Sequence, residues 1–247
     1  MNILNQFDHY RTLRVTQECQ LKCGHCPLWK SEVAPHPIWD SLFDLFKDDL
    51  FVTIVPPTIR VIDLIGGDPF NEPDLEKILL FLHKKHIKIR LWTHGLTMRS
   101  QIQSVLPYLH HVYLFFPAPN EAAYYHITGF DGFSQCKDTL EFLLANQAVT
   151  LNCPVQTDTI QELPEIYDIA VSKNVPLMIH YDPDLFTRES RQYIRRFNRM
   201  KNVTVLQHRP RNGKQCQVVP IHMQVPSSNR KIYFKETMNR IRHKIQI

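Results

Sequence analysis

The chain has 247 residues, of which 43% are hydrophobic, and a formal net charge of +5. This is enough for one main domain with a full core, and no apolar stretch has the length needed to cross a bilayer. The first ten residues lack the apolar core of a signal peptide, so we expect a cytoplasmic protein with no membrane partner. Because disulfides are rare in the cytoplasm, the six cysteines indicate a metal site or chemistry.

Positive charge is concentrated near the end of the sequence. Residues 188–247 contain 15 Lys and Arg against two acids, which gives +13, whereas residues 1–187 contain 14 against 22, which gives −8. Such an asymmetry can focus an anionic partner onto one face of a protein. The alternative is a solvated basic surface that only keeps the protein soluble.

Short β-branched and apolar runs alternate with longer amphipathic stretches, which is the pattern of βα units repeated around a parallel sheet. The predicted strands are residues 12–17, 59–65, 88–93, 111–116, 149–155 and 176–181. Apolar residues at three- and four-residue spacing predict helices over residues 73–85, 133–144 and 163–173. Six βα units therefore fit between residues 10 and 185.

The pattern changes from residue 188 onwards. We predict a helix over residues 188–199, a strand over 203–206, an extended stretch over 229–234 and a final helix over 235–244. The chain is therefore expected to divide into a barrel-type domain, residues 1–187, and a small basic α+β extension, residues 188–247.

Cys19, Cys23 and Cys26 have the spacing C-x3-C-x2-C and follow the first predicted strand. Three thiolates can bind three irons of a [4Fe–4S] cube and leave the fourth iron open to a substrate or cofactor. A zinc site is one alternative, because C-x2-C pairs are common zinc ligands. Its fourth ligand would be His25, Cys153 or Cys216. The other alternative is a buried cluster of cysteines without a metal.

Gly66 and Gly67 end the second predicted strand, within Ile65–Phe70. The chain has seven glycines, whereas average usage predicts about 17, so their positions are informative. Glycine at a strand end lets the backbone approach a ligand closely. A plain strand-to-helix turn is the alternative, but the position one βα unit beyond the cysteines favours a ligand site.

These motifs, in this order, resemble those of the radical S-adenosylmethionine (SAM) superfamily, and the likeness covers about residues 10–185. It implies an α/β fold, a partial (β/α)6 barrel, with a [4Fe–4S] cluster bound by Cys19, Cys23 and Cys26. The open iron of such a cluster chelates the amino and carboxylate groups of SAM. The resemblance also implies a set of SAM-binding residues: Gly66, Gly67, Asp68, Pro69, His25 and Thr93.

Some positions depart from the usual family residues. Asp68 replaces a glutamate and keeps its charge, and His94 follows Thr93 where relatives commonly have asparagine. Phe115–Ala118 stands where many relatives have Ser-Leu-Asp-Gly, so a serine that often contacts SAM is missing. His25 stands where relatives often place an aromatic ring beside the adenine, and an imidazole can stack there.

Polar residues end the fifth and sixth predicted strands, which directs them toward the mouth where βα-barrel enzymes assemble their sites. We predict that Asn152 and His180 contact SAM there. Cys153 is a candidate hydrogen-atom donor to a substrate radical. The alternative for Cys153 is packing, because a cysteine in a strand is commonly a small buried hydrophobe.

Residues 125–133 are similar to a His-x-x-x-Gly stretch of SPASM-type, peptide-modifying members of the superfamily. Cys216 resembles the start of the cysteine-rich extension that binds auxiliary clusters in SPASM proteins, but its companion cysteines are missing. We therefore expect residues 188–247 to form a degenerate SPASM- or Twitch-like extension without a cluster.

The resemblance implies an enzyme that reductively cleaves SAM to methionine and a 5′-deoxyadenosyl radical, which abstracts hydrogen from a substrate. Its SPASM-like stretch favours a ribosomally made peptide, with an acidic leader received by the basic residues 188–247. A flavodoxin- or ferredoxin-type protein is the expected electron donor.

Two other functions stay open at this point. Modification of RNA, or of a phosphorylated nucleoside or cofactor precursor, would use the basic charge for phosphate contacts. No RNA-binding motif is recognisable, although aromatic side chains accompany the charge as possible stacking platforms: Tyr193, Phe197, Tyr233 and Phe234. The other is a zinc- or cluster-bearing binding protein without chemistry, which the departure at Phe115–Ala118 suggests.

Overall fold

A computed structural model describes residues 10–24, 26 and 57–207. Seven parallel strands form one sheet, and their spatial order is their order in the chain. The strands are β1 (Tyr10–Arg14), β2 (Val61–Ile65), β3 (Lys88–Thr93), β4 (His111–Phe115), β5 (Val149–Pro154), β6 (Leu177–Tyr181) and β7 (Val203–Gln207). The α-helices of this part of the chain are α1 (Leu75–Lys84), α2 (Arg99–Val105), α3 (Glu121–Thr128), α4 (Phe133–Asn146), α5 (Leu163–Ser172) and α6 (Arg188–Arg196).

The predicted α/β half-barrel is confirmed. Neighbouring strands are all parallel, so each connection has to cross back over the sheet, and the helices form these crossovers between β2 and β7. All six predicted strands are present, as are the helices predicted over 73–85, 133–144 and 163–173.

The sheet has one strand more than the six that were predicted for the barrel. β7 contains the strand predicted over residues 203–206, and it pairs with β6 from Leu177 opposite Val203. Ile194 of α6 is buried in the main core. The described beginning of the segment 188–247 therefore continues the sheet, while its remaining residues, with Cys216 and the elements predicted over 229–244, lie outside the described residues. The domain division at residue 188 stays a prediction.

Side chains alternate between the two faces of the sheet. The helix-covered face is apolar, and Leu64, Leu91 and Leu114 on it have at most 1% of their surface exposed. These residues form a continuous core with helix residues such as Ile78 and Leu140. Burial of this face holds the strands in register, because a shift by one residue would turn the apolar side chains toward the other face.

The opposite face, which we call the inner face, is polar and aromatic. Asp63 accepts two hydrogen bonds from Arg90, at 2.5 and 3.0 Å, and is almost fully buried. Tyr113 stacks on Trp92 with ring centroids 4.2 Å apart, and the Arg90 guanidinium lies 5.7 Å from the centroid of Tyr113. His111 contacts Thr150 at 2.9 Å on the next strand. This network fills the inner face below the carboxyl ends of the strands and leaves those ends for a site.

The Asp63–Arg90 pair predicts how the metal-free protein responds to substitution. Arg90→Met leaves the buried carboxylate without its guanidinium, and we expect the free energy of unfolding to fall by about 3–5 kcal/mol in urea titrations. The double variant Asp63→Leu/Arg90→Met should recover most of that loss, because it removes both charges. The matched control is Arg188→Met, on an exposed arginine, which should change stability little. A single Arg90 variant as stable as the parent protein would contradict a structural role for the pair.

Candidate functional site

The three-cysteine segment after β1 lies against the carboxyl end of β2. The N–H of Gly67 donates to the carbonyl of Thr16 at 3.2 Å, and the N–H of Asp68 donates to the carbonyl of Glu18 at 2.8 Å. The side-chain amide of Asn71 also donates to the Glu18 carbonyl, at 3.0 Å. Backbone and side-chain hydrogen bonds from the residues after β2 therefore fix the loop immediately before Cys19.

Gly66 and Gly67 are required by this close approach. A Cβ atom on Gly67 would lie 2.0 Å from the carbonyl oxygen of Glu18 and 2.8 Å from the Cβ of Cys19, and one on Gly66 would lie 2.7 Å from the carbonyl oxygen of Thr16. Sequence reasoning assigned these glycines to ligand access. The structure gives them a further role, which is to let the cysteine loop pack on the strand end.

Asp68 joins the ends of β2 and β3. Its carboxylate is 2% exposed and accepts hydrogen bonds from the N–H of Phe70 at 3.1 Å, the N–H of His94 at 2.9 Å and the hydroxyl of Thr93 at 2.8 and 3.0 Å. Thr93, which was predicted to contact SAM, thus donates its hydroxyl hydrogen bond to Asp68. Pro69, predicted for the same role, begins a short 3-10 helix. Although burial disfavours its charge, the neighbouring His94 lowers the pKa of Asp68, so the group stays a carboxylate.

His94 connects this carboxylate to the cysteines. Its Nδ1 lies 3.1 Å from Oδ2 of Asp68, and its Nε2 lies 3.7 Å from Sγ of Cys19. Burial disfavours the imidazolium, but the charge of Asp68 and the hydrogen bonds outweigh that effect and raise the pKa of His94 to about 10. Sequence reasoning treated His94 only as a departure from the family. Its position directly after the third strand was the available signal, because strand ends meet at one edge.

The three cysteines share one electrostatic environment. Cys23 is buried, whereas Cys19 and Cys26 are partly exposed, and the N–H of Leu21 donates to Sγ of Cys19 at 3.3 Å. Burial raises the pKa of Cys23 to about 12, and the charges of Cys19 and Cys26 add to the rise. A metal centre removes both effects, since a coordinated thiol is deprotonated outright.

Within residues 10–24, 26 and 57–207, no three His, Cys, Asp or Glu side chains converge on a single metal-ion position. A [4Fe–4S] cube sets a different requirement, because it is held through several irons by separate thiolates. His25, which directly precedes Cys26 and was predicted to lie beside the adenine, is outside the described residues.

Of the residues predicted to form the site at the ends of β5 and β6, Asn152 and His180 lie on the inner face, whereas Cys153 lies on the helix-covered face. Register places Asn152 beside Phe115 and Met178, and His180 beside Pro154, all on the inner face. Asn152 is 8% exposed, and its Oδ1 has no hydrogen-bond partner in the described part of the chain. Both residues therefore lie on the face that a ligand at the strand ends would contact.

Cys153 lies on the helix-covered face, with 2% of its surface exposed, within the apolar core. Burial raises the pKa of its thiol to about 12. This position favours the packing interpretation and not hydrogen-atom donation, because alternation along β5 turns the thiol away from the inner face. Phe115–Ala118, the segment that departs from the usual family residues, is also packed within the protein. Phe116 and Ala118 are buried, and the ring centroid of Phe115 lies 5.5 Å from that of His94.

Comparison with known proteins finds one similar sequence and solved structures of similar fold, while no family model matches the chain. AlbA of Bacillus subtilis (strain 168), an antilisterial bacteriocin subtilosin biosynthesis protein, is 30% identical over 97 residues, which are 39% of this chain and 21% of AlbA. Streptococcus suis SuiB, solved with its precursor peptide SuiA, has a TM-score of 0.63 and 13% identity over 80% of this chain and 48% of SuiB. For anSMEcpe, solved with AdoMet and the Kp18Cys peptide, the values are 0.55 and 16%, over 70% and 51%.

The two solved structures share the fold of this chain. The chain thus resembles the radical SAM superfamily in its motifs, and its fold agrees with that resemblance. It spans about a fifth of AlbA and about half of SuiB and anSMEcpe. None of the described helices is long and apolar enough to cross a membrane.

The residues present fit the two groups that radical SAM proteins use. Three thiols at one strand end can bind a [4Fe–4S] cluster through three irons. The unpaired Oδ1 of Asn152 can accept a hydrogen bond from a SAM group at the same edge of the sheet.

The glycine contacts predict a test that needs no bound metal. In Gly67→Ala the new methyl group collides with Glu18 and Cys19, so the cysteine loop must move away from β2. We expect the free energy of unfolding to fall by about 1–3 kcal/mol, and the buried thiol of Cys23 to be alkylated faster in the metal-free protein.

The matched control is Gly24→Ala in the same loop, because a Cβ at Gly24 meets nothing within 4 Å. Its stability and its Cys23 alkylation rate should stay near those of the parent protein. Equal behaviour of the two variants would show that Gly67 is only a turn residue.

Proposed function

We propose that this protein is a radical SAM enzyme that modifies a ribosomally made peptide. The observation that carries the proposal is the fixed cysteine loop: Cys19, Cys23 and Cys26 lie at the carboxyl end of a half-barrel, held against Gly67 and Asp68 by backbone hydrogen bonds. A loop held in this way presents its thiolates at the edge of the sheet where βα proteins bind their ligands.

In this proposal the cluster is bound by Cys19, Cys23 and Cys26. When bound together, the cluster and SAM supply the reductive cleavage that yields methionine and the radical that abstracts hydrogen from the substrate. The backbone of Gly66–Pro69 receives the amino group of SAM. The polar side chains assigned to the rest of SAM are His25, Asn152 and His180, while the buried hydroxyl of Thr93 is bound to Asp68.

The protein's own residues orient the reacting groups and exclude water. Asp68 and His94 hold the ends of β2 and β3 beside Cys19, so that the strand ends keep their spacing. The packed rings of Trp92 and Tyr113 close the inner face below. A closed inner face limits the access of water to a reactive radical.

A peptide substrate is supported by the relatives. AlbA takes part in the biosynthesis of the bacteriocin subtilosin, SuiB was solved with the precursor peptide SuiA, and anSMEcpe was solved with a peptide. A flavodoxin- or ferredoxin-type donor would supply the electron, because the cleavage of SAM consumes one.

The basic residues from 188 onwards are proposed to receive an acidic leader of that peptide. Within the described part, Arg188, Arg196 and Arg199 are exposed along α6 and the turn after it, as is Arg195. Exposed positive charges on one helix and its turn can attract an acidic segment and orient it toward the adjacent sheet.

The cluster assignment predicts that Cys19→Ala, Cys23→Ala and Cys26→Ala each lose most of the bound iron and of the 5′-deoxyadenosine formed under dithionite. Each variant removes one of three thiolates and leaves two irons without a protein ligand. Cys153→Ala is the matched control, and it should keep both iron and 5′-deoxyadenosine because its thiol lies in the apolar core.

Iron per chain, visible absorption and 5′-deoxyadenosine release are measured on anaerobically purified protein. Full activity of any of the three motif variants would refute the assignment. Colourless parent protein with one zinc ion per chain would instead support the zinc site.

The leader proposal predicts a charge- and salt-dependent contact with acidic peptide. Replacing Arg195, Arg196 and Arg199 together by glutamine should raise the dissociation constant of a fluorescein-labelled hexaglutamate peptide, and salt between about 0.05 and 0.3 M should weaken binding to the parent protein. The charge-matched control replaces the exposed Lys84, Lys85 and Lys88 by glutamine. If neither salt nor the arginine variant changes binding, or if both triple variants weaken it equally, these arginines do not recruit the leader.

A further inference from the structure

The side chain of His94 contacts a sulfur of the cysteine loop. His94 directly follows β3, its side chain is 12% exposed, and its Nε2 lies 3.7 Å from Sγ of Cys19. Sulfur is a larger atom than oxygen, so hydrogen bonds to it are longer, and this distance is within their reach. The fold therefore places one ring nitrogen of a largely buried histidine against a thiol of the cysteine motif.

The other sides of the imidazole ring are held by neighbouring groups. Its Nδ1 lies 3.1 Å from Oδ2 of the buried Asp68, and the backbone N–H of His94 donates to the same oxygen at 2.9 Å. The ring of Phe115 meets the imidazole edge to face, with centroids 5.5 Å apart and an angle of 74° between the planes. These contacts fix the ring with Nδ1 toward the carboxylate and Nε2 toward the sulfur.

The chemistry of a bound thiolate decides which partner donates. A cysteine that binds iron has lost its proton, so its sulfur can only accept hydrogen bonds. The nitrogen that faces it, Nε2 of His94, must then be the donor. The backbone N–H of Leu21 also donates to Sγ of Cys19, at 3.3 Å. One side-chain and one backbone N–H thus converge on the sulfur of Cys19.

We propose that Nε2–H of His94 donates a hydrogen bond to the Cys19 thiolate of the bound cluster and thereby raises the reduction potential of the cluster. This inference rests on the proposed function, because it requires the cluster. Reduction adds one negative charge to the cluster and its thiolates, so a donor aimed at a thiolate stabilises the reduced state more than the oxidised state. Hydrogen bonds to sulfur are among the factors that set iron–sulfur potentials. His94 acts through Cys19 and is a positioning residue.

Two substitutions separate the two contacts of the imidazole. In His94→Asn the amide nitrogen takes the place of Nδ1 and can still donate to Asp68, but no atom remains where Nε2 lay. In His94→Gln the longer side chain carries an amide nitrogen near the place of Nε2, so a donor to Cys19 remains. Both variants remove the imidazole and any charge on it. A difference between them therefore reports on the hydrogen bond to sulfur.

The experiment is a redox titration of the whole chain with its cluster, followed by electron paramagnetic resonance, for the parent protein and both variants. For His94→Asn we expect the ratio of reduced to oxidised cluster at a fixed potential to fall about tenfold, which is a shift of about 59 mV for a one-electron couple. The potential of His94→Gln should lie closer to that of the parent. His110→Asn, on an exposed histidine before β4, is the matched control and should leave the potential unchanged.

The outcomes separate this inference from the function on which it rests. Parent protein that binds no iron contradicts the proposed function and the inference with it. Equal potentials in the parent and His94→Asn proteins overturn the inference alone, as does an equal fall in both His94 variants. If His94→Asn does not assemble its cluster, the reduced cluster is measured by pulsed electron paramagnetic resonance with nitrogen-15-labelled histidine. His25→Phe in that protein removes the other histidine of the cysteine motif. A hyperfine coupling to histidine nitrogen is expected, and its absence overturns the inference.

Discussion

The buried carboxylate of Asp68 is the group on which the arrangement at the strand ends depends. It accepts hydrogen bonds from Phe70, Thr93 and His94, and the backbone N–H of Asp68 donates to the carbonyl of Glu18 in the cysteine loop. A carboxylate in a buried position is costly unless it is fully paired. Because the donors come from the segment after β2 and from the end of β3, satisfying that one charge fixes both strand ends and aligns the cysteine loop with them.

The cysteine loop is held in place by contacts with the rest of the protein. Hydrogen bonds to the residues after β2 fix its start, and the bond from Lys22 to Thr128 fixes its middle against α3. Gly66 and Gly67 allow this by leaving room for the backbone of Thr16 and Glu18. Ligands carried on strand ends and supported by neighbouring helices keep their spacing better than ligands on a free loop. This rigidity suits the proposed cluster, which would present one open iron to SAM.

The sequence predicted the strands, most of the crossover helices and the cysteine motif, because these follow from local patterns. It did not predict how the inner face is filled. The pairing of Asp63 with Arg90 and the stacking of Trp92 on Tyr113 depend on strand register. Register is set by the burial of many apolar side chains along neighbouring strands, so it does not follow from a local motif. Cys153 is another example, because a shift of one residue along β5 decides whether a side chain lies on the inner face or in the apolar core.

By itself the sequence determined the chemical type of the site: three thiols at one spacing, glycines after the second strand, and alternating βα units. Only the tertiary structure decided which other groups surround those thiols. His94 is 75 residues from Cys19 in the chain and reaches it because the carboxyl ends of parallel strands in one sheet, here β1 and β3, lie at the same edge. The same holds for the buried Oδ1 of Asn152, because only the placement of every neighbouring group shows that it has no hydrogen-bond partner among the described residues. Ligand identity is a local property of the sequence, whereas the environment of a ligand is a property of packing between distant segments.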